Sequence, residues 1–169
     1  MKKLLLFCFL VCSYFPVTAQ NPTDVVKTFG ARPGFDNRVR DLAVQSDGKI
    51  IYVGDFTRYK GNVCNRIVRL NTDGSIDTAF NSGAGFNGIA NTVTLQSDGK
   101  ILVGGFFSSY QSVSKSYLIR LNSDGSIDNT LVTPAIFDST PTDIVIQPDG
   151  KILISGFFDS NSSAQSIVR

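Results

Sequence analysis

The stretch LAVQSDGKIIYVGDF, residues 42–56, and its continuation RIVRLNTDGSIDTAF, residues 66–80, hold two Asp-Gly pairs, Asp47-Gly48 and Asp73-Gly74, each set between apolar runs. Asp-Gly supplies the positive φ angles that a tight hairpin turn requires, and the flanking runs are rich in β-branched and aromatic residues. The pattern predicts four antiparallel strands: A over Val39–Gln45, B over Lys49–Phe56, C over Arg66–Asn71 and D over Ser75–Phe80. Strand B carries Ile50-Ile51-Tyr52-Val53, apolar on both faces. Such a strand must be covered from both sides, and a small antiparallel sheet stacked between like sheets achieves that.

The unit recurs at a constant offset of 51 residues. Asp47-Gly48-Lys49, Asp98-Gly99-Lys100 and Asp149-Gly150-Lys151 keep it. So do Gln45, Gln96 and Gln147, then Gly54, Gly105 and Gly156, and then Phe56, Phe107 and Phe158. The second turn repeats as Asp124-Gly125, and Phe35, Phe86 and Phe137 stay in register. Many matches at one offset mark a repeat architecture. The expected fold is all-β: a β-propeller segment of four-stranded antiparallel blades, with three incomplete blades and no closed ring. The expected organisation is a signal peptide at 1–19, an N-terminal segment with a spare outer strand at 20–38, and blade repeats at 39–89, 90–140 and 141–169, the last truncated.

The quoted stretches resemble the delta-60 repeat family of β-propellers in exported bacterial proteins and, more distantly, NHL-type propellers. The resemblance covers Val25 to Arg169. It implies a propeller fold and an exported protein. It carries over no catalytic residue, because the family has no general catalytic motif. The third repeat departs slightly, with Pro148 in place of Ser and a B–C loop two residues shorter.

At the N-terminus, Met1-Lys2-Lys3 precedes an apolar run from Leu4 to Cys12 and then Val17-Thr18-Ala19. That is the order of a secretory signal, with cleavage expected after Ala19 and a secreted or cell-surface destination. The run falls short of the roughly 20 residues of a membrane span. Cleavage leaves fourteen basic residues against fourteen Asp, a net charge of zero. A neutral chain has no electrostatic footprint for nucleic acid or an anionic membrane. Cys64 would then be the remaining cysteine, which excludes an internal disulfide. It reads as a packed or loop residue, with no His to activate it.

The chain contains no His, Glu or Trp. Imidazole catalysis and histidine metal sites are therefore excluded. Ser46-Asp47-Gly48-Lys49 matches a penicillin-binding S-x-x-K motif, but it recurs and lies in a turn, not at a helix start. Asn71-Thr72-Asp73-Gly74 resembles part of a calcium loop, yet Arg69 stands at the first ligand position. No catalytic residue, metal ligand or cofactor is assigned. Asp47, Gly48, Asp73, Gly74, Asp98, Gly99, Asp124, Gly125, Asp149 and Gly150 are read as structural turn residues.

Thr23 to Phe29 aligns with a D strand, and Arg169 falls inside the third C strand. Known propellers use about four to eight blades. The expectation is a longer protein with further blades of the same chain, or a second copy joined head to tail in a ring of roughly six blades. The tight Asp-Gly turns define one end of each blade, and the longer B–C and D–A loops define the other. Loops on a rigid scaffold carry most ligand contacts. The ligand-binding candidates are therefore Tyr59 and Tyr110, at the same offset, with Arg58 and Lys60 beside the first. Exposed tyrosines suit glycan or protein contact, whereas the competing reading packs them between blades. Phe35, Phe86 and Phe137 read as inter-blade core. A site would break the repeat symmetry, and no clear break stands out. The expected function is a non-catalytic exported binding or structural module. The alternatives are a propeller enzyme, such as a polysaccharide lyase or hydrolase with catalytic residues beyond residue 169, and a calcium-stabilised scaffold.

Overall fold

The computed structural model of the protein describes residues 34–131 and 140–156. The expected signal segment, the spare strand at 23–29, Phe137, Phe158 and the third B–C loop lie outside these residues. Every regular element among the described residues is a strand. In the first repeat β1 (Val39–Val44), β2 (Ile50–Gly54) and β5 (Ile67–Leu70) form a three-stranded antiparallel sheet in that order. The B–C loop between them folds into a miniature hairpin of β3 (Arg58–Tyr59) and β4 (Asn62–Val63). The second repeat copies this with β6 (Ile89–Leu95), β7 (Ile101–Phe106) and β10 (Leu118–Leu121), and with β8 (Ser109–Tyr110) paired to β9 (Val113–Ser114). The third contributes β11 (Pro141–Ile146) paired to β12 (Ile152–Gly156).

All five Asp-Gly turns are built alike, and differently from a turn with two positive φ angles. Only the glycines are left-handed, with φ of 75° to 87° at Gly48, Gly74, Gly99, Gly125 and Gly150. Gly48 N–H donates to Gln45 O at 2.9 Å and Gln45 N–H donates to Lys49 O at 2.8 Å. This is a type I turn followed by a left-handed glycine. The Asp side chain serves the turn directly: Asp47 Oδ1 accepts Lys49 N–H, as Asp98, Asp149, Asp73 and Asp124 accept the N–H two residues on.

The fourth strand is reduced to one bridge per repeat, Leu70↔Ile76 and Leu121↔Ile127. The expected strand D over Ser75–Phe80 is corrected accordingly, and the cause is Asp77. Its Oδ1 accepts Ala79 N–H at 3.0 Å, which curls the chain away from the sheet. Asp128 does the same through Thr130 N–H at 2.9 Å. The other carboxylate oxygen turns inward. Asp77 Oδ2 takes Arg69 Nε and Lys49 Nζ, both at 2.8 Å, and Asp128 Oδ2 takes Arg120 Nε at 2.7 Å and Lys100 Nζ at 3.0 Å. Arg69 and Arg120 are thus buried cations with their charge matched.

The two-faced apolar strand finds its cover. In β7, residues Ile101 to Gly105 are all buried. Ile101 and Val103 join Ile51, Val53 and Ile67 of the first repeat in one cluster. Leu102 joins Ile144, Ile152 and Ile154 of the third. The sheets therefore stack face to face with apolar side chains between them. Each first strand also carries a β-bulge, at Val39/Asp41, Ala90/Thr92 and Pro141/Asp143. The bulge presses backbone against backbone, and a Cβ on Gly105 would lie 2.3 Å from Ile89 O.

Gly105→Ala is expected to destabilise the protein by about 2 kcal/mol or more, because backbone cannot yield as a side chain can. Urea unfolding would show a lower midpoint at unchanged slope. Asp128 is held well below the ordinary carboxylate range, first by the Thr130 hydroxyl, then by Thr130 N–H, Lys100 and Arg120. A depressed carboxylate stabilises the fold above its unfolded value near pH 4, and that contribution is lost as pH falls further. Asp128→Asn is expected to lower the melting temperature at pH 7 and to flatten its decline below about pH 4.

Candidate functional site

The loop ends of the first two repeats share a frame of three aromatic rings. Phe35 lies 4.5 Å from Phe56 and 4.8 Å from Tyr59 between ring centroids. Phe86 lies 4.4 Å from Phe107 and 4.6 Å from Tyr110. Backbone bridges Phe35↔Tyr59 and Phe86↔Tyr110 bring the D–A loop to the B–C hairpin. The expectation of exposed tyrosines is corrected here. Tyr59 is 7% exposed and Tyr110 not at all. Their hydroxyls are consumed as well: Tyr59 donates to Gly74 O at 3.0 Å and Tyr110 to Gly125 O at 2.8 Å. One hydrogen bond per repeat thus ties the B–C hairpin to the Asp-Gly turn, features that the strand order alone puts at opposite ends of the blade. Burial drives the Tyr110 phenol pKa upward. These tyrosines are framework, not a contact surface.

Their neighbours are engaged too. Arg58 Nη1 donates to Gly61 O at 2.9 Å within its own hairpin. Lys60 Nζ caps Gly74 O at 3.1 Å and lies 5.1 Å from the centre of the Tyr59 ring. Cys64 is buried beside the same frame, and desolvation pushes its thiol pKa up to about 11, far from a nucleophile's range.

Between the D–A and B–C loops of the second repeat lies an open cleft of about 190 Å³, lined by Asn87, Gly88, Phe106, Phe107, Ser108 and Tyr117. Phe106 is 62% exposed, and its ring centroid lies 6.4 Å from that of Tyr117. Asn87 is locked by three hydrogen bonds. Its Oδ1 accepts Ser108 and Ser109 N–H at 2.9 Å each, and its Nδ2 donates to Ser108 Oγ at 2.8 Å. Tyr117 immediately precedes strand β10 with φ of 65°, its N–H on Phe107 O and its carbonyl accepting Gly105 N–H. The cleft is therefore held by side chain and backbone alike, with the exposed aromatic face left over.

The same corner of the first repeat has the same backbone and different chemistry. Asp36 stands for Asn87, Asn37 for Gly88, Asp55 for Phe106 and Arg66 for Tyr117. Asp36 accepts Thr57 Oγ1–H, Thr57 N–H and Arg58 N–H, and the Thr57 hydroxyl leads in lowering its pKa. Asp55 is paired bidentately with Arg40. Arg66, at the same φ of 65°, donates Nη1 to Phe86 O at 2.9 Å. That corner is charged, with Asp36 and Asp55 bonded and Arg66 Nε buried without a partner among the described residues, whereas the second is uncharged and carries exposed aromatic surface. The first two repeats differ at this corner, while the third carries Phe157 where the second has Phe106. Comparing residues 51 apart position by position reveals the difference: Asp55 against Phe106, and Arg66 against Tyr117. Among the described residues, no group of three or more Asp or Cys side chains is placed to hold a metal ion.

A family model described as "Domain of unknown function (DUF5122) beta-propeller" matches residues 45–80, 96–131 and 147–169, more than half of the chain. No curated protein sequence matches it. Among solved structures, the selenomethionine-substituted virginiamycin B lyase from Staphylococcus aureus is similar at 19% identity, with a TM-score of 0.44 over 79% of this chain and 43% of that one. The chain thus spans less than half of that protein's length.

Tyr110→Phe removes the hydroxyl that serves the buried Gly125 carbonyl, although Gln111 Nε2 also approaches it at 3.4 Å. A loss of about 1–2 kcal/mol in unfolding free energy is expected. Any ligand captured at the Phe106 cleft should bind the folded variant with unchanged affinity.

Proposed function

The chain belongs to the DUF5122 β-propeller family, and from that premise we propose that it works as an exported, non-catalytic binding module of the delta-60 type. The observation that carries the reading is the Phe106 cleft, an uncharged corner that leaves aromatic surface in solvent where the first repeat places Asp55. Phe106 lies outside the apolar clusters that join the sheets, and a large ring held in solvent beside a built cleft points to a partner. The leader-like order of Met1 to Ala19 supports export. Among the described residues, Asp36 and Asp55 on the loop face are committed to the fold, Asp36 to Thr57 and Arg58 and Asp55 to Arg40. That supports holding a ligand rather than acid–base work on it.

The test is to express the whole chain in a secreting bacterial host and to print the product against glycan and protein arrays. The secreted mass should correspond to a chain beginning at Gln20. Capture should occur on one array and fall on Phe106→Ala, with the captured glycan or protein recovered chemically unchanged. Retention of an uncleaved chain in the cytoplasm would overturn export. Cleavage of the captured partner would overturn the non-catalytic reading, and capture insensitive to Phe106 would overturn the cleft.

A further inference from the structure

We infer that the cleft of the second repeat is a subsite for one uncharged sugar ring of a neutral glycan, a deepening that rests on the binding reading above. Three observations select this chemistry.

The first is charge. Asn87, Gly88, Phe106, Phe107, Ser108 and Tyr117 include no ionisable acid or base other than the Tyr117 phenol. The corresponding corner of the first repeat holds Asp36, Asp55 and Arg66. An anionic or cationic group entering the second cleft would lose hydration with no opposite charge to meet it.

The second is the set of groups still free to bond. Ser108 Oγ accepts from Asn87 Nδ2, so its own proton remains to be donated. Asn87 Nδ2 carries a second N–H beyond the one given to Ser108. Among the described residues the Tyr117 hydroxyl has no partner and can both donate and accept. A pyranose offers apolar C–H faces together with equatorial hydroxyls that both donate and accept. Its face suits the exposed Phe106 ring, and its hydroxyls suit the Ser108, Asn87 and Tyr117 groups at the cleft.

The third separates a sugar from a peptide strand. A peptide adding to a sheet edge needs unpaired backbone groups. Along Phe107 to Ser109, the segment that borders the cleft, the following are spent. Ser108 and Ser109 N–H go to Asn87 Oδ1, Ser108 O accepts Lys115 N–H, Ser109 O accepts Asn87 N–H, and Phe107 O accepts Tyr117 N–H. On that segment what remains polar belongs to side chains. The volume of about 190 Å³ also falls below the roughly 300–1,000 Å³ of pockets that enclose drug-sized ligands. It suits one ring of a longer chain, with the neighbouring rings in solvent.

The test is calorimetric titration of the whole secreted chain with cellohexaose, mannohexaose and chitohexaose, and with hexagalacturonate as the anionic comparison. At least one neutral hexasaccharide is expected to bind, with hexagalacturonate weaker. Phe106→Ala should weaken binding at least about tenfold, and Ser108→Ala several-fold. Phe106→Asp restores the residue that the first repeat carries in the same backbone, so it should fold with a similar melting temperature and abolish binding. Absence of binding by every neutral hexasaccharide would overturn the sugar inference, as would affinity that survives both Phe106 variants. A protein or peptide captured in a Phe106-dependent way, with no glycan bound, would keep the binding module and remove the sugar. Capture of neither glycan nor protein would remove both.

Discussion

A strand that is apolar on both faces cannot stand at a surface, and this constraint organises the molecule. β7 buries Ile101 and Val103 against the first repeat and Leu102 against the third. The sheet of the second repeat is stable only as the middle of a stack, and its neighbours are held by the same contacts. Hydrophobic burial is non-directional, so it brings sheets together without setting their spacing. The spacing comes from the bulged first strands, where Gly54 and Gly105 let backbone approach backbone. It comes also from the Arg–Asp–Lys clusters, whose buried charges tolerate little displacement. Arg69 extends this across repeats, donating Nη1 to Ser123 O at 2.6 Å in the next repeat's turn.

The aromatic frame carries that order out to the loops. In both described copies a phenylalanine from the D–A loop touches one at the end of the second strand and a tyrosine of the B–C hairpin. The tyrosine hydroxyl then reaches the carbonyl of an Asp-Gly turn. The B–C hairpin is thereby tied to an Asp-Gly turn of its own repeat. Beneath it, Asp36 and Asn87 perform one task with different atoms, each accepting two successive backbone N–H groups. The carboxylate and the amide are interchangeable for the fold and not for a ligand.

Freedom for function lies outside this network. Positions that make the repeated contacts are nearly constant between copies: Phe56 and Phe107, Tyr59 and Tyr110, Asp77 and Asp128. Positions facing solvent beside them differ between the first two repeats, from Asp55 to Phe106 and from Arg66 to Tyr117, with Phe157 again in the third. The first repeat pairs Arg40 with Asp55 and bonds Arg66 Nη1 to Phe86 O. The second leaves the Phe106 ring in water. A binding surface can thus change without disturbing the stack that presents it.

The repeat, the five turns, the two-faced second strand and the inward Phe35 and Phe86 were legible from residue order alone. Each depends on residues adjacent in the chain or on a period countable along it. The turns show how local this information is, since an Asp side chain bonds the N–H two residues on. Three features were decided only in three dimensions. The fourth strand shrank to a bridge because Asp77 and Asp128 bonded ahead along the chain and inward to cations on two other strands. Tyr59 and Tyr110 were buried because Phe35 and Phe86, distant in the chain, folded over them and a turn carbonyl awaited their hydroxyls. The cleft arose because two loops met beside Phe106. Strand order names the loops at each end of a blade. Which side chains that meeting buries, and which it leaves in water, depends on packing between segments far apart in sequence.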